Sequence, residues 1–197
     1  MKLKSHIRMA KYRSYKGQVG QIADNVLQRQ FKADKPNKKW VTDVTEFNVQ
    51  GEKLYLSPIM DLFNGEIIAF QTLRRPVFSL VKDMLKDALN QLPSNDKPII
   101  HSDQGWQYQM SHYQTLLAEK GLIQSMSRKG NCLDNASMES FFGILKSECF
   151  YGKKFTSVEE LEQTVKEYIH YYNHERIKVK LKGLSPVQYR TQSINAA

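Results

Sequence analysis

The sequence predicts an α/β fold: a mixed five-stranded sheet flanked by helices. Three observations predict it. β-branched and aromatic residues crowd three consecutive runs between Trp40 and Leu73, with Asn64-Gly65 joining the second to the third. The apolar period then changes from 2 to 3.6 residues between Val77 and Leu92. Beyond Pro93, short apolar runs alternate with amphipathic ones. A three-strand antiparallel meander followed by helix-linked, parallel strands gives a mixed sheet with helices on both faces.

The elements follow in order. "WVTDVTEFNV" (Trp40 to Val49) reads as one strand and "EKLYLSPIMD" as a second. "LFNGEIIAFQTL" carries the third, entered through Asn64-Gly65, a pair suited to a tight hairpin because that turn needs positive φ. Val77, Leu80, Val81, Met84, Leu85, Ala88, Leu89 and Leu92 then form one helical face, which Pro93 stops. "PIIHSD" is a buried strand. "YQMSHYQTLLAEKG" is a helix closed by Gly121, and "LIQSMS" is a further strand. The loop "RKGNCLDN" enters a helix bearing Glu139. After Phe155, a capping box of Ser157 and Glu160 opens a long helix, and Ser185-Pro186 caps a short last one. The expected division is a basic arm at 1–38, a core at 39–155 and a helical extension at 156–197.

Composition bounds the function. The 197 residues fit one sizeable domain. No apolar run approaches the ~20 residues of a membrane helix, and no signal peptide is visible, so a cytoplasmic protein is expected. Two separated cysteines, Cys132 and Cys149, argue against a disulfide framework or zinc ribbon. The net charge of +9 is concentrated: residues 1–40 hold eleven Lys/Arg against two Asp, and the remainder holds eighteen against eighteen Asp/Glu. Such an arm is either a solvated tail or a surface for a polyanion.

Three acids stand where a carboxylate needs a reason. Asp43 lies inside a strand, between Thr42 and Val44, and Asp103 follows "PIIHS" at a strand's carboxyl end. Either alone could be structural, Asp43 in an ion pair and Asp103 in the turn "DQG". On the helix, Met138, Phe142, Leu145 and Cys149 form the buried stripe at 100° per residue, widened by Phe141. Glu139 and Lys146 lie at its other edge, about 20° apart, while Glu148 falls on the far side and Asp134 precedes the first turn as a natural cap. Gly143, one turn past Glu139, serves either a bulky ligand or close helix packing. Carboxylates brought together repel unless cations hold them. Hard oxygen ligands suit Mg²⁺ or Mn²⁺, and two such ions ~4 Å apart suit phosphoryl transfer.

The spacing and the local words carry a resemblance. Asp43 and Asp103 are separated by 59 residues, and Asp103 and Glu139 by 35. "KWVTDVTEF", "YLSPIMDLFNGEIIAF", "HSDQGWQYQ", "SMSRKGNCLDNASMESFFGILKSE" and "LKGLSPVQYR", in that order, resemble the second-frame (OrfB) transposases of bacterial insertion sequences, with a D,D-35-E core of retroviral-integrase type. The resemblance runs from about Lys11 to Arg190. It implies an RNase H-like fold with Asp43, Asp103 and Glu139 as catalytic metal ligands. It also implies Mg²⁺- or Mn²⁺-dependent cleavage of transposon ends, strand transfer by the freed 3′-OH, and action as a homo-oligomer on DNA. Lys146 occupies the family's basic position after the glutamate; a surface pair with Glu139 is its other reading. The family carries helix-turn-helix parts upstream. This chain begins at what resembles their tail, so those parts are expected either to be absent or to be supplied by a separate helix-turn-helix polypeptide from an upstream frame.

Further candidates for DNA contact are Arg128, Lys129 and Asn131 in the loop before the catalytic helix, and Lys11, Arg13, Lys16, Lys38 and Lys39 in the arm. Trp106 and Tyr108 either stack on splayed bases or pack in the core. His101 is either an auxiliary of the site or a packed strand histidine. Two other functions compete: another nuclease of the same fold, and a catalytically incompetent, truncated DNA-binding regulator of a full-length transposase.

Overall fold

The computed structural model describes residues 20–128 and 132–195. Strands β1 (Lys39–Thr42), β2 (Thr45–Val49), β3 (Glu52–Asp61), β4 (Glu66–Leu73), β5 (Ile99–Ser102) and β6 (Ile123–Met126) form one mixed sheet. The expected single strand from Trp40 to Val49 is written as two, β1 and β2, yet both keep one register on β3. Thr42 opposes Ile59 and Thr45 opposes Leu56, three residues on along one strand and three back along the other. They are halves of one strand interrupted at Asp43-Val44, so the six segments fill five positions, in the order β4, β3, β1/β2, β5, β6. The cause of the interruption is local. The gap faces Pro58, which has no N–H to donate, and the Val44 N–H turns to the Asp43 carboxylate at 2.7 Å. β5 runs parallel to β1, and β6 parallel to β5.

The β3–β4 connection is not the two-residue turn expected of Asn64-Gly65. It spans residues 62–65, and within it only Gly65 has positive φ, +71°. Asn64 is used otherwise: its Nδ2 donates to the Pro186 carbonyl (2.8 Å) and to Glu66 (2.9 Å), tying the turn to the C-terminal helix. Asp61, beside the turn, is buried. It accepts the N–H groups of Asn37 (2.8 Å) and Phe63 (2.9 Å) and pairs with Arg190.

Two apolar layers cover the sheet. α1 (Phe78–Gln91) and α2 (Ser111–Glu119) pack on one face through Val81, Met84, Leu85, Tyr113 and Leu117, together with Trp40 and Ile100. α3 (Ala136–Leu145) and α4 (Val158–His174) pack on the other through Met138, Phe141, Leu161 and Val165, with Val41, Phe47 and Leu56 beneath. α3 does not continue as a straight helix: a π-helical turn, Lys146–Phe150, ends it. The 100° wheel therefore drifts after Leu145. Glu148 is carried onto α4, where it accepts from Tyr168 Oη (2.8 Å) and from Arg176 (2.5 to 3.1 Å). α4 begins as expected, with Ser157 Oγ accepting from Glu160 N at 3.2 Å. α5 (Pro186–Asn195) follows Ser185, which exchanges hydrogen bonds with Gln188.

From Gly20 on, the segment before β1 packs against the body: Leu27 is buried in the α3/α4 layer. Among the described residues no helix is long and apolar enough to cross a membrane.

Candidate active site

Lys39, Trp40 and Val41 of β1 lie opposite Ile99, Ile100 and His101 of β5. Each strand ends one residue before an aspartate. Carried two residues past Val41 and His101, the parallel register sets Asp43 beside Asp103, about the 4.8 Å of neighbouring strands apart. Val41 and Phe47 belong to the layer under α3, and alternation puts Asp43 on that same face. Asp103 is steadied by an Asx turn, its Oδ1 accepting the Gly105 N–H at 2.8 Å. A Cβ at position 105 would lie 2.9 Å from that oxygen, which explains the glycine of "DQG".

The two carboxylates disturb each other. Burial first, and then the Asp103 charge, push the Asp43 carboxyl up to about 7. Glu139 adds a smaller push, against the opposing hydrogen bonds of the Val44 N–H and the Asn135 side chain. Burial pushes Asp103 up as well. Glu139 stands exposed in the first turn of α3. Its neighbours Met138, Phe141, Phe142 and Leu145 anchor the helix to the sheet. The three acids thus share one side of the fold. Among the described residues, however, no three metal-ligating side chains are closed into a ready-made cluster. The donor set is all hard oxygen, drawn from three elements, and two of its members are strained by burial and repulsion. That chemistry fits a divalent cation of the Mg²⁺ or Mn²⁺ kind.

Behind the acids lies a polar scaffold. Asp134, expected to cap α3, does not: Asn135 precedes the helix, with no side-chain capping bond. Asp134 is instead a buried ion-pair hub. It accepts from Arg29 Nε (2.7 Å), Asn25 Nδ2 (3.1 Å), and the backbone N–H and guanidinium of Arg128 (3.0 to 3.1 Å). His101 is packed rather than free. Its Nδ1 bonds Ser125 Oγ at 2.8 Å, and its Nε2 faces the Asp134 carbonyl at 2.8 Å and Ser127 Oγ at 3.2 Å. Tyr108 is fully buried against Tyr113 and packs in the core, whereas Trp106 is exposed.

The residues expected to touch DNA are scattered. Lys146 lies down on β2, its Nζ donating to the Glu46 carbonyl at 3.0 Å and sitting 5.2 Å from the Phe47 ring centroid. Arg128 keeps a 60% exposed side chain while pairing with Asp134. Lys39 Nζ is taken by the carbonyls of Gln30 (2.7 Å) and Lys32 (3.0 Å). Lys38 is exposed just before β1, five residues or about 16 Å from Asp43. Lys11, Arg13, Lys16, Lys129 and Asn131 lie outside the described residues. Gly143 is exposed, and a Cβ there would meet nothing within 4 Å, so close helix packing does not explain it. Sequence reasoning missed Asn25, Arg29 and Asn135; no periodicity links Arg29 to an aspartate 105 residues away.

Two models described as "Integrase core domain" match residues 33–132 and 139–194. A transposase-like protein of Haemophilus influenzae is 63% identical over 193 residues, covering 98% of this chain and 89% of that protein. The putative transposase InsK of the insertion sequence element IS150 of Escherichia coli K12 is 58% identical over 193 residues, covering 98% of this chain and 68% of its own length. Among solved structures, the HTLV-2 integrase catalytic core domain in complex with magnesium superposes with a TM-score of 0.59 at 17% identity, covering 80% of this chain and 99% of that one. A simian T-cell lymphotropic virus intasome chain gives a TM-score of 0.70 at 17% identity, covering 88% of this chain and 60% of that one. The expected RNase H-like architecture of retroviral integrase cores is therefore the fold observed. The comparisons lend no support to a separate helix-turn-helix polypeptide.

Proposed function

Because the chain belongs to the insertion-sequence transposases that carry an integrase core, we propose that it cleaves transposon-end DNA and transfers the freed 3′-OH to target DNA, with Asp43, Asp103 and Glu139 as its catalytic carboxylates. One observation carries this reading: two aspartates side by side at the carboxyl ends of β1 and β5, on the face covered by the helix that bears Glu139. Mg²⁺ or Mn²⁺, when bound, would supply Lewis-acid stabilisation of the attacking and leaving oxygens.

The chain's own residues do the rest. Asp43 and Asp103 offer oxygen donors from a rigid sheet, and Glu139 offers a third from a packed helix. The exposed face of α3 around Gly143 leaves room for a phosphodiester backbone beside Glu139. Lys146, anchored on β2, lies on the same side and can hold a phosphate as a point charge. DNA and further copies of this chain are the partners this reading requires.

The test uses the full chain with Mn²⁺ and duplexes carrying the element's terminal repeats. The expected result is 3′-end nicking and joining to a second duplex, both abolished in Glu139→Gln while DNA binding persists. Cleavage of RNA–DNA hybrid or of four-way junctions in preference to end DNA would favour another nuclease of this fold. Binding without cleavage by the wild-type chain would favour a DNA-binding regulator.

A further inference from the structure

Asn135 immediately precedes α3 and is 4% exposed. Its Nδ2 donates to the Thr42 carbonyl at 3.3 Å, one residue before Asp43, and the amide is close enough to act against the upward push on the Asp43 carboxyl. Its Oδ1 is buried and has no hydrogen-bond partner among the described residues. The donor end of the amide is thus committed to β1, which fixes which end is oxygen. A single amide separates its two ends by only about 2 Å, so Oδ1 is held near Asp43.

The amide oxygen then sits beside the Asp43 carboxylate, buried and with no donor of its own among the described residues. Buried acceptors left in this way are costly, and native sites retain them where a ligand completes the arrangement. The ligand that satisfies both acceptors at once is a cation or the water it carries. An amide oxygen is one of the hard donors such ions accept.

The position of Asn135 is also secured from behind. Asp134 next to it is gripped by Arg29, Arg128 and Asn25, and its carbonyl by His101. None of these bonds is needed to start a helix, since α3 has no side-chain cap. Together they fix the backbone that delivers Asn135 to β1.

We propose that Asn135 is a fourth member of the site and its positioning residue: Nδ2 orients the Asp43 carboxylate, and Oδ1 takes the hydrated divalent cation that Asp43 holds. This rests on the reading of Asp43 as a metal ligand. It is distinct from the three acids because it is neutral, adds no repulsion, and acts through Asp43.

The test measures Mn²⁺ binding to the DNA-free full chain by the electron paramagnetic resonance of free Mn²⁺, in wild type, Asn135→Ala, Asn135→Ser and Asp43→Asn. Removing an outer partner of a metal ligand weakens binding by 10- to 100-fold in metal sites generally. Asn135→Ala is expected to raise the Mn²⁺ dissociation constant by about tenfold and to regain end cleavage when Mn²⁺ is raised in proportion, with thermal melting close to wild type. Asn135→Ser, which keeps a short donor and acceptor, is expected to fall between. Unchanged Mn²⁺ affinity in Asn135→Ala, beside lost binding in Asp43→Asn, overturns the role of Asn135 alone. Unchanged affinity in Asp43→Asn overturns the site itself. If neither Asn135 variant folds, the residue serves folding and the proposal is wrong.

Discussion

Asp43 and Asp103 stand next to each other because β1 and β5 are parallel and in register, Val41 against His101, with one aspartate two residues beyond each. Their mutual repulsion is part of the folded chain's own energetics. It predicts that the metal-free protein is held back by its site. Asp43→Asn, nearly isosteric, is expected to raise the melting temperature in EDTA by relieving a buried like-charge contact. Added Mn²⁺ is expected to stabilise wild type and not the variant. Calorimetry in EDTA and in Mn²⁺ checks both, and a variant that melts lower in EDTA contradicts the repulsion.

Gly105 is the residue that lets Asp103 turn. A methyl there would lie 2.9 Å from the Asp103 Oδ1 that accepts its N–H, and 3.0 Å from Gln107 Oε1. Gly105→Ala is expected to displace the carboxylate, so that cleavage falls by at least about tenfold, the scale of a misplaced catalytic group. The backbone there has ordinary negative φ, so the fold tolerates alanine. Single-turnover cleavage beside thermal melting separates the two effects, and equal activity would show that Asp103 need not stay where the turn puts it.

Asp134 gives the pH dependence. Hydrogen bonds from Arg128, and then from Arg29, hold its carboxyl well below the usual carboxylate range. A depressed folded pKa contributes stability that is complete above the unfolded value, about 4, and that drains as pH falls below it. Wild type is therefore expected to lose stability steeply below about pH 4. Asp134→Asn should be weaker at pH 7 and show a flatter slope in acid. Urea unfolding from pH 2 to 7 measures this, and parallel curves would remove Asp134 as the cause.

Glu139 and Glu148 lie on one stretch of chain and are expected to behave oppositely. Glu148 is tied to Arg176 and Tyr168 and joins the end of α3 to α4. Its ion pair is partly exposed, so Glu148→Gln should cost about 1 kcal/mol or less, a shift of a few degrees at most, and leave cleavage intact. Glu139→Gln should leave melting unchanged and abolish cleavage. Paired melting and cleavage assays decide, and loss of activity in both variants would break the distinction.

Much of this was legible along the chain. The periods of 2 and 3.6 placed the strands and helices, because burial of one face imposes them wherever the element runs. The acids stood out because a carboxylate in or at the end of an apolar strand has few ordinary reasons to be there. Boundaries were less legible. The break at Asp43-Val44 depends on Pro58, which faces it only once β1, β2 and β3 pair, and the π-helical turn after Leu145 has no periodic signature of its own.

The sequence by itself determined the sheet and its layers, the three candidate acids, and the family to which their spacing and surrounding words belong. Only the tertiary structure decided which polar groups meet. Asp134 became an ion-pair hub rather than a cap because Arg29, 105 residues earlier, folds onto it. Asn135 reached Asp43 because α3 packs over β1. Lys39 turned to the Gln30 and Lys32 carbonyls, and Glu148 to Arg176. The physical reason is range: hydrophobic patterning repeats within each element and can be read there, whereas a hydrogen bond is a single contact whose partner is chosen by the packing of distant segments.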